Sequence, residues 1–217
     1  MVVSLLHLVC IILLSYLAGS FPTSIVIGRI FFRKDIRKYG SSNAGGTNAV
    51  RVFGWPAGVA VILFDVAKGA CSVLFISQLP LFGTMEAPFL SADLTALIAG
   101  ASSVVGHIWT VFASFRGGKG VATAAGMLAA LYPAAFFITL IFFILAIVFT
   151  GIVSVGSLTA AVLFPLVQFI LNRSGVIPVS PLLLWITLPL SVLIIFTHRK
   201  NIGRLIRGEE PRMFGQK

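Results

Sequence analysis

Acidic side chains are scarce. Six Asp and Glu stand against 16 Lys and Arg in 217 residues, and the four charged types together make up only 10% of the chain. A soluble domain of ordinary composition carries about a quarter charged residues, so that class is excluded. Cysteine is nearly absent: Cys10 and Cys71 sit in separate apolar runs, without metal-like or disulfide-like spacing. The histidines are His7, His107 and His198, scattered and with no carboxylates expected nearby, which argues against a metal site. No internal repeat and no low-complexity segment is visible. No Lys or Arg precedes Arg29, so the charged n-region of a signal peptide is missing and the first apolar run is expected to be a retained helix.

What is present is apolar. Hydrophobic residues make up 58% and the mean hydropathy is +1.06, as expected of a polytopic membrane protein with nearly all its length in or beside the bilayer. A single domain over residues 1–217 is expected. The net charge of +10 would suggest nucleic acid in a soluble protein. Here it points instead to anionic lipid headgroups and anionic substrates.

The apolar runs predict an all-α bundle of seven membrane helices. The spans are about residues 3–28, 55–79, 94–112, a short helix from 121, a further helix to 149 after a turn at Pro133, one from the 151–157 turn to about 171, and 182–196. Tyr132 is pushed out of helix by the proline after it. Asp65 and Lys68 share one face of the second span, either as a functional pair or as a structural ion pair. The loop from Arg29 to Arg51, the Arg116 loop and the tail from Arg199 hold 14 of the 16 Lys and Arg. By the positive-inside rule all three are cytoplasmic, which puts the N-terminus outside and the C-terminus inside.

The same face collects the polar stretches. Gly40 to Asn48 reads GSSNAGGTN, small hydroxyl and amide side chains among glycines that can offer several donors to one anion; Arg51 follows. Ser114 to Thr123 reads SFRGGKGVAT, with Arg116 and Lys119 around Gly117-Gly118 and an apolar helix starting just after. Glycines allow close backbone approach, and a helix start favours an anion. It is not a Walker A loop, since Gly120 rather than Ser or Thr follows Lys119. Ser154 and Ser157 lie at the turn between the fifth and sixth spans. His198, Asn201 and Arg204 share one face of an amphipathic tail helix. No Ser-His-Asp set can be assembled on one side. These features predict a membrane protein handling phosphate-bearing molecules: a lipid-synthesising transferase, or an anion or phospholipid transporter. A transporter would gather its polar groups nearer the midplane, which favours the enzyme.

Three stretches, GSSNAGGTN with Arg51, GHIWTVFASFRGGKGVAT (Gly106 to Thr123) and HRKNIGRL (His198 to Leu205), together resemble the bacterial membrane glycerol-3-phosphate acyltransferases that use acyl-phosphate as donor. The Asp-x-x-Lys-Gly of that family is also matched, at Asp65 to Gly69. Departures are Ser42 and Gly46, where the family usually has Gly and Ala, Thr110 for Pro, and Arg116 for Lys. The resemblance implies transfer of a fatty acyl group from acyl-phosphate to the 1-hydroxyl of glycerol 3-phosphate. The products would be lysophosphatidic acid and phosphate, made for phospholipid synthesis at the bacterial inner membrane, with no metal, cofactor or nucleic acid. It implies that Ser41, Arg51, Lys119, His198 and Asn201 hold glycerol 3-phosphate, with Arg204 supporting. Asn43, Gly46, Thr47 and either Ser154 or Ser157 would hold the acyl-phosphate head. Asn48, His107, Arg116, Gly117 and Gly118 are further substrate-binding candidates within the motifs. His198 and the donor's own phosphate are the two candidate bases. The soluble-headed acyltransferases' His followed five residues on by Asp is absent, since Ile12, Phe112 and Gly203 stand at those positions.

Overall fold

The computed structural model describes residues 2–81, 91–175 and 181–213. Glu86 and the end of the tail at Lys217 lie outside the described residues. By internal packing the chain divides into two compact units, Met1–Leu131 and Tyr132–Lys217.

The first unit begins with α1 (Val2–Ser20) and α2 (Thr23–Phe32). The first span was expected at about residues 3–28, with Gly19, Ser20, Pro22 and Ser24 interrupting its lower half. The helix breaks among them, at Phe21-Pro22, because proline disfavours helix in the residue before it. Next comes α3 (Gly46–Phe53), then α4 (Trp55–Leu74), with Gly54 between them at φ +89°. The stretch to Arg51, expected as loop, ends instead in helix α3. Ala49 and Phe53 form a short apolar face, which helps build a cluster with Ile25, Ile36, Ala44, Val61 and Ala113. That burial, rather than the glycine-rich start, decides for helix.

Helix α5 (Ala92–Ile108) is capped by Ser91, whose hydroxyl accepts from the Leu94 N–H at 3.2 Å. It packs on α1, and α6 (Val121–Leu131) packs on α4. Both pairs are close because small residues face backbone. A methyl on Gly19 would strike the Ser103 carbonyl, and one on Gly69 would strike the Thr123 carbonyl. Hydrogen bonds also join the ends of α1 and α5: Tyr16 Oη donates to the Trp109 carbonyl at 2.6 Å, and Thr110 Oγ1 to that of Ser20.

In the second unit α7 (Pro133–Thr150) starts at the predicted Pro133 break. The turn into α8 (Val153–Arg173) is shorter than expected. It is only Gly151-Ile152, with Gly151 at φ +72°, so Ser154 and Ser157 lie inside α8. Helix α9 (Pro181–Thr197) packs on α8, and Thr187 Oγ1 donates to Gln168 Oε1 at 3.1 Å. Helix α10 (Arg199–Ile206) follows. The chain beyond it returns to the α7–α8 turn, where the Met213 N–H donates to the Gly151 carbonyl at 2.7 Å.

Among the described residues, five segments are long and apolar enough to cross a membrane: Ser4–Phe32, Trp55–Gln78, Ala92–Ala113, Pro133–Thr150 and Val153–Arg173. Val121–Leu131 and Thr187–Thr197 are shorter apolar helices.

Candidate active site

In the first unit the polar loop before α3 is organised by Asn48. Its side chain is buried; Nδ2 donates to the carbonyls of Tyr39 and Asn43, each at 3.0 Å, and Oδ1 accepts from the Ser41 N–H at 2.9 Å. The Asn48 amide is thus committed to loop backbone. Ser42 sits at φ +58°, a left-handed conformation that glycine adopts more readily. Ser41, Asn43 and Thr47 are half-buried around this frame, Gly46 is buried, and Arg51 is exposed on α3.

The loop is tied sideways through Arg37 and Asp35. Arg37 donates to Asp35 at 2.8 Å and to the Ala113 carbonyl at 3.0 Å, and Arg29 donates to Asp35 at 3.1 Å. The Arg37 guanidinium holds the Asp35 carboxyl well below the usual carboxylate range, against the opposing effect of burial. Asp35 in turn raises Arg37.

The glycine turn lies beyond Ala113. Ser114 and Phe115 both have φ +57°. The Gly117 N–H donates to the Ile108 carbonyl and the Gly118 N–H to that of His107, each at 3.1 Å. A methyl on Gly117 would overlap the His107 carbonyl, and one on Gly118 its Nε2. What they approach is His107, and their own N–H groups are occupied. Lys119 is half-buried just before α6, and Arg116 is exposed. The first-turn N–H groups of α6 have no partner within the helix by geometry.

His107 is buried, with Nδ1 3.4 Å from Lys68 Nζ and 3.6 Å from Asp65 Oδ1. The reading that no carboxylate lies near any histidine is therefore corrected. Asp65 and Lys68 form an ion pair at 2.7 Å. Together with His107, Thr23, Ala44, Gly117 and Gly118 they line a small cavity. The polar loop and the glycine turn meet there, at Ala44 and Gly118.

In the second unit the organiser is Glu210. Ser154 Oγ donates to its Oε1 at 2.8 Å, Asn201 Nδ2 donates to the same oxygen, and Arg204 Nε donates to Oε2 at 2.6 Å. Burial works to raise the Glu210 carboxyl, but the hydrogen bonds from Arg204, Asn201 and Ser154 outweigh it and the carboxyl is lowered. The Ser157 hydroxyl donates to the Val153 carbonyl of its own helix at 3.1 Å. His198 is buried, and its Nδ1–H donates to the Ile194 carbonyl at 2.7 Å, which fixes the ring.

The family model for glycerol-3-phosphate acyltransferase matches residues 9–208. The chain belongs to that family. A glycerol-3-phosphate acyltransferase of Chlorobaculum tepidum is 40% identical, with 98% of this chain and all of that protein aligned. One from Staphylococcus carnosus is 38% identical, over 95% of this chain and 98% of the relative. Among solved structures, an integral membrane glycerol 3-phosphate acyltransferase in its glycerol 3-phosphate form superposes with a TM-score of 0.82 at 32% identity, covering 96% of each chain. Its lysophosphatidic acid form gives 0.77 at 32% identity, over 96% of this chain and 95% of that one.

The acyltransferase thus carries its motif residues in two groups. Ser41, Asn43, Gly46, Thr47, Asn48, Arg51, His107, Arg116, Gly117, Gly118 and Lys119 lie in the first unit, and Ser154, Ser157, His198, Asn201 and Arg204 in the second. Glu210 was missed. It stands in a charged GEEPR run that reads as solvated tail, and nothing local marks it as buried.

Proposed function

We propose that this membrane acyltransferase moves a fatty acyl group from acyl-phosphate to the 1-hydroxyl of glycerol 3-phosphate, leaving lysophosphatidic acid and phosphate. The whole chain acts as one acyltransferase of the bacterial inner membrane. The observation that carries the reading, beyond full-length family membership, is the meeting of the polar loop with the glycine turn. Two segments in contact then carry Ser41, Thr47 and Arg51 on one side and Lys119 on the other, a donor and cation set suited to phosphate.

The chemistry asks little else of the protein. Acyl-phosphate is a mixed anhydride and already activated, so the reaction needs no metal or nucleotide. The acceptor oxygen attacks the acyl carbon, the bond from that carbon to the phosphate oxygen breaks, and the hydroxyl proton leaves with the phosphate. The donor's own phosphate is the base in this reading. Two anions must be brought together and an oxyanion stabilised. By motif, Ser41, Arg51, Lys119, His198 and Asn201 hold glycerol 3-phosphate, with Arg204 behind them. Asn43, Gly46 and Thr47 hold the donor head. Ser154 or Ser157 would have to give up the hydrogen bond described above to donate to it.

Donor choice tests the reaction. Offered acyl-phosphate, acyl-coenzyme A or acyl carrier protein with glycerol 3-phosphate, the purified protein should acylate from acyl-phosphate alone; use of a thioester in its place would overturn the assignment. Within that reaction, Thr47→Val should weaken acyl-phosphate use more than glycerol 3-phosphate use, because losing a hydrogen bond to a charged group costs about 1.5–3 kcal/mol. Steady-state kinetics with each substrate varied checks this, and equal losses would make the loop a scaffold.

Seven spans with a cytoplasmic active site complete the proposal, and anionic lipid headgroups are natural partners for the basic loops. A reporter fused after Lys217 should read cytoplasmic and one near Glu86 external. Both reading on one side would overturn the seven-span topology.

A further inference from the structure

Acyl transfer at a headgroup edge leaves the buried Asp65–Lys68 pair of α4 without a task. Burying two charges is costly, and such a pair is weak evidence of added stability. Its contacts supply a reason for it. A lysine ammonium has three N–H donors, and Lys68 Nζ meets three acceptors: Asp65 Oδ1 at 2.7 Å, the Phe21 carbonyl at 2.9 Å and His107 Nδ1 at 3.4 Å. Thr23 Oγ1 donates to Asp65 at 3.1 Å and steadies the carboxylate. A donation from Lys68 to Nδ1 would make that nitrogen the acceptor and place the ring proton on Nε2. That nitrogen lies against Gly118, and the His107 carbonyl holds the Gly118 N–H.

We propose that Asp65, Lys68 and His107 are positioning residues that orient the glycine turn and, through it, Lys119. The inference rests on the acyltransferase reading above. The ion pair sets the tautomer and angle of one imidazole, that imidazole forms the wall on which Gly118 lies, and the His107 backbone carbonyl forms the wall for Gly117. The same contacts explain why the two glycines carry no side chain: any Cβ would push the turn off His107.

The test uses the full chain in detergent micelles. Asp65→Asn/Lys68→Met removes both charges together, so neither is left buried alone. In nitrogen-15 spectra of histidine-labelled protein, with the His107 signals assigned by their loss in His107→Gln, the native ring should carry its proton on Nε2. In the neutral-pair variant that pattern should be lost, while the melting temperature stays within a few degrees. The kcat/KM for glycerol 3-phosphate should fall about tenfold. Gly118→Ala, which crowds the ring from the other side, should cost much less in the neutral-pair background than in the native one, since both changes act through one ring. Unchanged His107 signals, native kinetics in a folded variant, or full additivity with Gly118→Ala would each overturn the proposal. Should the double variant not fold, Gly118→Ala alone decides: it must shift the His107 signals, and unshifted signals overturn the idea. If the native protein shows no acyl transfer at all, the functional reading fails, and the spectra still decide whether the cluster orients the ring.

Discussion

Lys119→Ala is expected to lower turnover by about two to three powers of ten, from ~2.7–4 kcal/mol of lost charge stabilisation. In the proposed reaction a substrate dianion is held beside a second phosphate, and the two repel. A cation between them offsets that repulsion, the more so where acyl chain and lipid exclude water. Lys119 directly follows a glycine turn fixed to the carbonyls of His107 and Ile108, and it precedes the first turn of α6. Its backbone is thus placed before substrate arrives. Lys119→Arg keeps the charge on a bulkier, planar group with different donor geometry, and should recover only part of the rate. A half-buried side chain in a turn contributes little to the helix packing, so both variants should elute normally on gel filtration. Initial rates of phosphate release at saturating substrates are the measurement. Near-native turnover in a well-folded Lys119→Ala protein would reduce the glycine-lysine stretch to an ordinary basic loop.

Glu210→Ala is expected to cost about 1–3 kcal/mol of stability, the usual effect of leaving buried donors without their acceptor. The loss falls on three groups at once, because Ser154, Asn201 and Arg204 all donate to this carboxylate. Glu210→Gln keeps an acceptor oxygen and should cost less. The pH dependence follows from the lowered Glu210 carboxyl. A group whose folded value is depressed contributes stability that is present above its unfolded value, about 4.3 for glutamate, and lost as pH falls through the folded value. Native protein should therefore lose stability on acidification below about pH 4.3, and the Glu210→Gln variant should lose less over the same window. Thermal melts in detergent from pH 7 to 3 check both statements. A Glu210→Ala protein melting with the native one would contradict them.

The helices of the membrane region were legible because apolar runs leave few alternatives, and the Tyr132-Pro133 break fell where local sterics put it. Helix α3 was not legible. Its Gly-Thr-Asn start reads as loop, and its stability comes from Phe53 and Ala49 meeting Ile25, Ile36 and Val61 from elsewhere in the chain. The motifs named the residue types of the site but not their partners. That Asn48 would be occupied by loop carbonyls, or that Gly117 and Gly118 would lie on His107, depends on contacts no local spacing encodes. Glu210 became buried only because the tail turns back, with the Met213 N–H on the Gly151 carbonyl. Asp65 reached His107 only because small residues bring α1, α4, α5 and α6 close together.

The central claim is that this chain alone joins acyl-phosphate to glycerol 3-phosphate through side-chain and backbone groups of its own. The most direct measurement is product stoichiometry. The purified protein, in lipid vesicles with EDTA and without ATP or coenzyme A, is given both substrates, and phosphate and lysophosphatidic acid are quantified together. The account predicts that the two appear at equal rates, that neither appears when glycerol 3-phosphate is omitted, and that the acyl chain is on the 1-hydroxyl. Phosphate released without lysophosphatidic acid, or no turnover until a metal or nucleotide is restored, would contradict it.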